Sequence, residues 1–309
     1  MAVRAQSFNT RQKMSNNTFE VFHYRDSDIK EVALHHHDFY EIYFFLSGHV
    51  TYNIESRSYN LTPGDILLIA PDELHQPMMA TETQNYERYV LWINKGFLEQ
   101  VDLVSQPVSR CFDTEYAGHV NLIRPDGVTR ELLTYLLQSL LNERNSEEYG
   151  TDLYCMGCLA QILVLVNRLA ERTRLDSQPR ENSDSVVYRI LGYINEHYNE
   201  DLSLDFLANK FFISKYHLSR EFNRLVGTSV YRYITQKRLV MAKQMISTGQ
   251  PSSAVYQHCG FGDYSNFYRA FKAEYQISPK EYAATLREEN AGWEDFPRIG
   301  WERTEKGKK

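Results

Sequence analysis

The sequence predicts a two-domain α+β protein: an N-terminal β-barrel with covering helices, then an all-α domain of two helix-turn-helix units joined by a long helix. Three observations predict it. Short β-like runs broken by turn residues fill the region from about Phe19 to Ile93, two stretches with helical apolar periodicity follow, and the last third of the chain matches itself at a shift of about 49 residues.

A chain of 309 residues has room for two separate cores. With 24 % charged and 42 % hydrophobic residues it is too apolar for a disordered protein. No apolar run approaches the ~20 residues of a membrane helix on this reading, and Met1 to Asn17 lacks a signal-peptide apolar core. The expected address is the cytoplasm, with no membrane partner. Cys111, Cys155, Cys158 and Cys259 are too few and too irregularly spaced for a secreted disulfide framework. Cys155 and Cys158 form a CxxC, but inside the apolar run Leu153 to Leu169, where three-residue spacing places both on one helix face; packing is favoured over redox or metal chemistry. The net charge of -6 argues against a protein that coats nucleic acid without discrimination, while leaving room for a local basic surface. From Val186 to Asn290 basic residues slightly outnumber acidic ones.

In chain order, EIYFFLS before Gly48, VTYNIE before a polar turn, the Pro63-Gly64-Asp65 turn, ILLIA before Pro71, and YERYVLWI read as an antiparallel sandwich or barrel. Val128 to Leu141 and Leu153 to Leu169 read as amphipathic helices able to pack as an antiparallel pair. Arg172 to Asp184 is polar, contains Pro179 and has the character of a linker. Val186 to Arg287 reads as helical, and Ala291 to Lys309 as a tail. The expected divisions are 18–173, a linker 174–184, 185–289, and a tail 290–309.

The repeat pairs Leu218 with Phe267, Arg220 with Arg269, Phe222 with Phe271, Ser229 with Ser278 and Tyr233 with Tyr282. Each copy has a short helix (Leu204 to Lys210; Ser253 to His258), a break, and a second helix (Ser214 to Leu225; Tyr264 to Tyr275), with Ser214 and Asp263 placed as N-cap acceptors. In the first copy Leu218, Phe222 and Leu225 share a face, leaving Lys215, Tyr216, Ser219, Arg220, Asn223 and Arg224 outward. In the second, Phe267, Ala270 and Phe271 face inward, and Tyr264, Ser265, Asn266, Arg269 and Lys272 outward. Arg and Lys hold phosphates or guanine edges, Asn pairs with adenine, and hydroxyls reach phosphate oxygens. Either face alone is better explained by solvation; duplication favours recognition. Ser229 to Ser247, free of Gly and Pro, predicts one helix of ~28 Å, a rigid spacer near the ~34 Å repeat of B-DNA.

DLSLDFLANKFFISKYHLSREFNRLVGTSVYRYITQKRLVMAKQMI and SSAVYQHCGFGDYSNFYRAFKAEYQISPKEYAATLR together resemble the AraC/XylS DNA-binding domain. Ala208, Ser214, Leu218, Arg220, Phe222 and Gly227 fall at motif positions of the first unit, and Gly260, Phe261, Phe267, Arg269, Phe271, Lys272, Pro279 and Tyr282 at those of the second. The resemblance implies a transcription regulator that is not an enzyme. Its expected partners are double-stranded promoter DNA, a small effector, RNA polymerase if it activates, and a second copy of itself. Tyr216, Ser219, Arg220, Tyr264, Ser265, Asn266 and Arg269 are the implied base or groove contacts; Arg224 and Lys272 suit phosphate, with Lys215 beside them. Cys259 before Gly260 departs from the usual apolar or small residue.

In the N-terminal domain, His35-x-His37-x3-Glu41-x6-Gly48 resembles the first metal-binding motif of cupins, and His75 stands near the histidine of the second. On an extended segment His35, His37, Glu41 and Tyr43 point to one side. A divalent metal on His35, His37, Glu41 and His75, in a metal-dependent cupin enzyme with an attached DNA-binding domain, is therefore the alternative. The second motif is imperfect, with Glu73 where glycine is expected and Met79 where asparagine is, and AraC/XylS sensor domains commonly keep such a stretch without a metal, so the motif partly marks the fold. No cofactor is the favoured expectation. The favoured role is effector binding by His35, His37, Glu41, Tyr43, Tyr52, His75 and Trp92, with Tyr40, Phe45 and Tyr89 as further aromatic lining; sugars are common effectors of the family. The helices from Val128 to Leu169 suit dimerisation and covering the barrel equally.

Overall fold

The computed structural model describes residues 12–27, 32–80, 85–104, 106–116, 118–143, 146–176 and 185–292. The expected tail beyond residue 292, and residues 177–184 of the expected linker, lie outside these. The chain divides into two compact units: residues up to 196 together with 203–231, and residues 197–202 together with 232 onward.

In the first unit β1 (Phe19–Asp26), β2 (Tyr40–Ser47), β5 (Ile66–Ile69), β7 (Tyr86–Ile93) and β8 (Leu122–Ile123) form a five-stranded sheet in the order β1-β7-β2-β5-β8. A second sheet holds β3 (Val50–Ile54), β4 (Arg57–Asn60) and β6 (His75–Met79) in the order β4-β3-β6. All pairings are antiparallel. Alternation along β2 and β7 sorts side chains into two layers. Phe39, Tyr43, Phe45, Tyr86, Val90 and Trp92 pack inward with Tyr52 and Ile54 of the second sheet. Ile42, Phe44, Tyr89, Leu91 and Ile93 face the helices. The result is the antiparallel barrel that the strand pattern predicts, with its covering helices. The Pro63-Gly64-Asp65 turn forms as read, with Gly64 at φ +99 and Asp65 Oδ2 accepting the Thr62 N–H at 2.9 Å.

The covering layer is α1 (Lys95–Val104), a 3-10 turn (Val108–Phe112), α2 (Gly127–Glu143) and α3 (Thr151–Asp176). Cys155 and Cys158 are both buried among Leu159, Ile162, Leu163 and Val166, and burial raises both thiol pKa values, which suits packing. Two expectations need correction. α3 runs on to Asp176, so residues 174–176 are helix rather than linker. The segment Thr151–Leu175 is also long and apolar enough to cross a membrane by length and composition, contrary to the reading that no run approaches that length. Its apolar character has a use inside the fold, because one side of it completes the core under the five-stranded sheet.

The unit continues through α4 (Val186–His197), α5 (Leu204–Lys210) and α6 (Lys215–Val226). Buried residues are Val187, Ile190, Leu191 and Ile194 on α4, Leu207 and Ala208 on α5, and Leu218, Phe222 and Val226 on α6. Val226 fills the inward position expected of Leu225, which is half-buried.

The helix α7 (Val230–Ser247) leads into the second unit, which contains α8 (Ser252–His258), α9 (Tyr264–Tyr275) and α10 (Pro279–Gly292). Its core is Leu239, Ala242, Ile246, Val255, Cys259, Phe267 and Phe271. Cys259 is a core residue there, which explains why a small apolar group is tolerated before Gly260. Arg238 fastens residues 197–202 to α7, donating from Nε to Tyr198 O and from Nη2 to Glu200 O, both at 2.7 Å.

Candidate DNA-reading faces and barrel site

The two helix-turn-helix copies agree down to their caps. Ser214 accepts the His217 N–H at 3.2 Å, and Asp263 accepts the Asn266 N–H at 2.8 Å. At the other ends Gly227 (φ 66) and Gln276 (φ 64) take left-handed conformations, their N–H groups returning to Asn223 O and Lys272 O, each at 2.9 Å. Side-chain acceptors at the first turn and a left-handed residue after the last fix where each helix starts and stops. The turn differs slightly, spanning 211–214 in the first copy and 259–263 in the second.

Every predicted DNA contact is exposed: Lys215, Tyr216, Ser219, Arg220 and Arg224 on α6, and Tyr264, Ser265, Asn266, Arg269 and Lys272 on α9. Several hold neighbouring groups. Lys215 Nζ lies 2.5 Å from Asp205 Oδ1, Arg224 pairs with Glu221 Oε2 at 2.7 Å, and Arg269 Nη2 donates to Asn266 Oδ1 at 2.5 Å. Exposed pairs of this kind add little to stability, so phosphates or base edges can displace them.

Inside the barrel the seven predicted effector residues form one connected group. The His35 and His37 rings lie 4.2 and 4.7 Å from that of His75; Tyr52 stacks on His75 at 6.3 Å and meets Tyr43 at 5.0 Å. Trp92 Nε1 donates to Glu41 Oε2 at 2.8 Å. All are buried. Segment 36–39 is not regular strand; a bridge between His35 and His75 and the start of β2 converge these residues instead. Tyr40 and Tyr89 are corrections to the predicted lining, since they face the helical layer; Tyr40 packs on Phe112 at 4.8 Å and Tyr89 stacks on His23 at 4.3 Å. Phe45 faces inward as expected.

Burial pushes the His75 pKa down to about 3 and that of His35 well below its ordinary value, with the neighbouring histidines adding to both. Glu41 is pulled two ways: burial raises its pKa, and His37, His75 and the Trp92 indole bring it net below the ordinary carboxylate value. Burial also raises Tyr43 and Tyr52. Near neutral pH the group therefore combines the Glu41 carboxylate, the neutral imidazoles of His35 and His75, and the protonated phenols of Tyr43 and Tyr52. Glu73, the departure from the cupin pattern, braces the barrel wall. Its Oε2 accepts the Ala70 N–H at 2.7 Å, and both its oxygens accept from Asn121 Nδ2, at 3.1 and 3.2 Å.

Sequence reasoning missed Phe39, Tyr86, Arg88, Asn53 and Gln76. Tyr86 and Arg88 alternate with Val90 and Trp92 along β7, a signal that period two offered; Tyr86 hydrogen-bonds Tyr43, and Arg88 lies 4.0 Å over the Tyr86 ring while pairing with Asp26. Asn53 and Gln76 are cross-strand partners on β3 and β6. Asn53 Nδ2 donates to Leu225 O at 2.8 Å, and Tyr188 Oη to Asn53 Oδ1 at 3.4 Å. No local pattern marks them, because their partners lie in other elements: Leu225 and Tyr188 for Asn53, and Val32 O, which accepts from Gln76 Nε2 at 2.6 Å, for Gln76.

Two capped helix-turn-helix units with polar outward faces, preceded by a barrel with a buried cluster of donors, define a DNA-binding regulator that carries its own ligand-binding domain. Comparison with known proteins specifies the family. Residues 19–147 match the AraC-like ligand binding domain and residues 207–285 a helix-turn-helix domain. The HTH-type transcriptional activator RhaS of Enterobacter sp. (strain 638) is 26 % identical over 251 residues, 80 % of this chain and 86 % of that one. Among solved structures, the C-terminal domain of AraT, a response regulator from Geobacillus stearothermophilus, is 28 % identical (34 % of this chain, 88 % of that one, TM-score 0.33). Fatty-acid-bound ToxT from Vibrio cholerae strain SCE256 is 15 % identical (88 % and 97 %, TM-score 0.38). The chain belongs to the AraC family and is a DNA-binding transcription regulator with a ligand-binding domain.

Proposed function

We propose that this regulator reads promoter DNA as a homodimer, each copy placing α6 and α9 in successive major-groove segments, under the control of a small effector held by the barrel cluster. The observation that carries the DNA reading is the matched exposure of Arg220 and Arg269 on helices that each have a side-chain N-cap and a left-handed C-cap. At 18 residues, α7 supplies a spacer of ~27 Å, consistent with adjacent sites on one face of the duplex. For the effector, the support is the Tyr43, Tyr52 and Trp92 lining beside Glu41 and the histidines; aromatic faces with a few polar groups suit a sugar ring. The role is binding rather than catalysis, and the place of action is the cytoplasm, in keeping with relatives named as bacterial transcriptional activators. Those names also favour RNA polymerase as a partner.

Dimerisation is assigned to α2 and α3. Val128, Leu132 and Tyr135, at helical spacing on α2, are 79 %, 40 % and 59 % exposed, and Tyr154 and Val164 on α3 are exposed too. Covering the barrel needs only the opposite sides of these helices, so it leaves this face unexplained.

The test is selection of genomic fragments by the full chain at several salt concentrations with nonspecific competitor. The expected result is a paired motif whose half-sites are separated by whole helical turns, with affinity falling steeply in salt. Enrichment of single, unpaired sites would remove the dimer; no sequence preference with or without a sugar panel would remove the regulator reading.

A further inference from the structure

The first helix-turn-helix unit keeps a bulky aromatic residue where its backbone calls for glycine. α5 and α8 end in the same hydrogen-bonded closure. After α5, Phe212 N–H donates to Asn209 O at 3.2 Å and Ile213 N–H to Ala208 O at 3.0 Å; after α8, Gly260 N–H donates to Gln257 O at 3.0 Å and Phe261 N–H to Tyr256 O at 2.9 Å. In both, the first of these residues is left-handed, Phe212 at φ 55 and Gly260 at φ 78. This is the Schellman closure, whose left-handed position is ordinarily glycine because a Cβ is crowded there. The second copy has that glycine, and a Cβ on it would lie 2.7 Å from Asn199 O. The first copy has Phe212, which is 95 % exposed. A lone exposed apolar residue needs no explanation, but a bulky one held left-handed does. The ring packs on almost nothing, and glycine would close the turn with less strain. Its use therefore lies outside the chain.

Its position says what it meets. Phe212 stands two residues before Ser214, the N-cap of α6, and three before Lys215, so its Cα lies within about 11 Å of the Lys215 Cα. The first turn of a recognition helix is the part that reaches base edges. Tyr216, in that turn, is 76 % exposed, and the repeat places Ser265 opposite it. Tyr264, opposite Lys215, packs within its own unit, on the rings of Tyr256 at 5.8 Å and Phe267 at 5.9 Å. The first copy thus opens on two exposed aromatic rings beside Lys215, and the second on a glycine and a hydroxyl. Arg220 and Arg224 are exposed on the same helix, and such cationic surroundings favour DNA over a protein surface. Among the groups that a major groove exposes, the thymine methyl is the one an apolar ring recognises. We propose that Phe212 is a specificity-determining residue of the first unit, which with Tyr216 forms an apolar edge that reads a thymine methyl beside the bases read by α6. This rests on the reading that α6 enters the major groove. It makes the two units unequal readers, the first selecting a methyl and the second polar edges alone.

The experiment uses the full chain and duplexes carrying the motif that genomic selection yields, with each thymidine in turn replaced by deoxyuridine, which lacks only the methyl. At one position flanking the bases that Arg220 reads, the replacement should weaken binding of the unaltered chain about fourfold, the effect of one buried methyl, and should leave binding of Phe212→Gly unchanged. Phe212→Gly should also fold at least as firmly, with hydrogen exchange in α5 and α6 unchanged or slower, because glycine adopts the left-handed turn freely. Equal sensitivity to deoxyuridine in the two proteins, or none at any position, would overturn the proposal. Faster exchange in α5 and α6 of Phe212→Gly would overturn it too, by making the ring a support of the turn. So would unchanged DNA binding with weakened transcription by RNA polymerase, which would give the ring to a protein partner. Arg220→Ala keeps the two readings apart: if it alters base preference while Phe212→Gly does not, α6 reads DNA and only the assignment of Phe212 fails.

Discussion

Gly260 offers the sharpest test of how the second unit is built. Its φ is +78, and a Cβ added there would lie 2.7 Å from Asn199 O and 2.9 Å from Asn199 C. Both obstacles are backbone, so no side-chain rotation relieves them. In Gly260→Ala the left-handed conformation costs ~1 to 2 kcal/mol, and displacing residues 197–202, which Arg238 fastens to α7, adds on the order of 1 to 3 more. The total of ~2 to 5 kcal/mol should raise hydrogen exchange in α8 and α9 by at least ~30-fold, since 1.4 kcal/mol is tenfold. Peptide-resolved exchange is the right assay, because two units need not unfold as one. Two companions grade the effect. Gly227→Ala (φ +66) meets only the Gln76 side chain, which can move, and should cost less; Gly262→Ala has nothing within 4 Å and no positive φ, and should leave exchange nearly unchanged. Exchange in α8 and α9 that stays within twofold in Gly260→Ala, or rises equally in Gly262→Ala, would refute this reasoning.

Asn53→Ala removes the hydrogen bond to Leu225 O and the contact from Tyr188; a loss of ~1 kcal/mol should raise exchange in α6 about fivefold while α9 stays unchanged, and equal responses in both helices would count against a local contact. Ser214→Ala and Asp263→Ala each delete an N-cap and should cost ~1 kcal/mol, seen as faster exchange in the first turn of α6 or α9 respectively. His119, with its pKa lowered from 6.5 to about 4, first by burial and then by Arg57 against a smaller opposing pull from Asp113, binds a proton less readily folded than unfolded. Its contribution is therefore intact above pH 6.5 and lost as pH falls toward 4, on the order of 1 to 3 kcal/mol. The drop in urea midpoint between pH 7 and pH 5 should be smaller in His119→Gln; an identical drop would show that another group governs it.

The parts of this structure legible in the sequence are those governed by local rules. Leu204–Lys210 and Tyr264–Tyr275 form as read, because caps and apolar spacing lie within the segments themselves. Residue types and spacing from His35 to Tyr43 mark the barrel cluster, but a bridge between His35 and His75 and the start of β2, rather than alternation through residues 36–39, bring it together. What was not legible depends on distant partners. Tyr40 and Tyr89 looked like barrel lining, yet which face of a strand is inward is decided by what packs on each side, here Phe112 and His23. The two-residue β8 is too short to carry a period, and is defined by pairing with β5. Polarity after Arg172 suggested a linker, while α3 continues to Asp176 with Arg174 bonded to Glu171 and lying over the Tyr116 ring at 4.7 Å. Glu73 looked like a defect in a metal motif, and its partner Asn121 lies in a different element.

The central claim is that α6 and α9 each read their own stretch of DNA. Base preference should be measured position by position for the unaltered chain, Arg220→Ala and Arg269→Ala, on the motif that selection yields. Each variant is predicted to lose ~1 to 3 kcal/mol of discrimination, roughly 5- to 150-fold, at its own base positions, the two sets lying about one helical turn apart. Loss of preference at the same positions in both variants, or a uniform loss of affinity with every preference intact, would contradict the account.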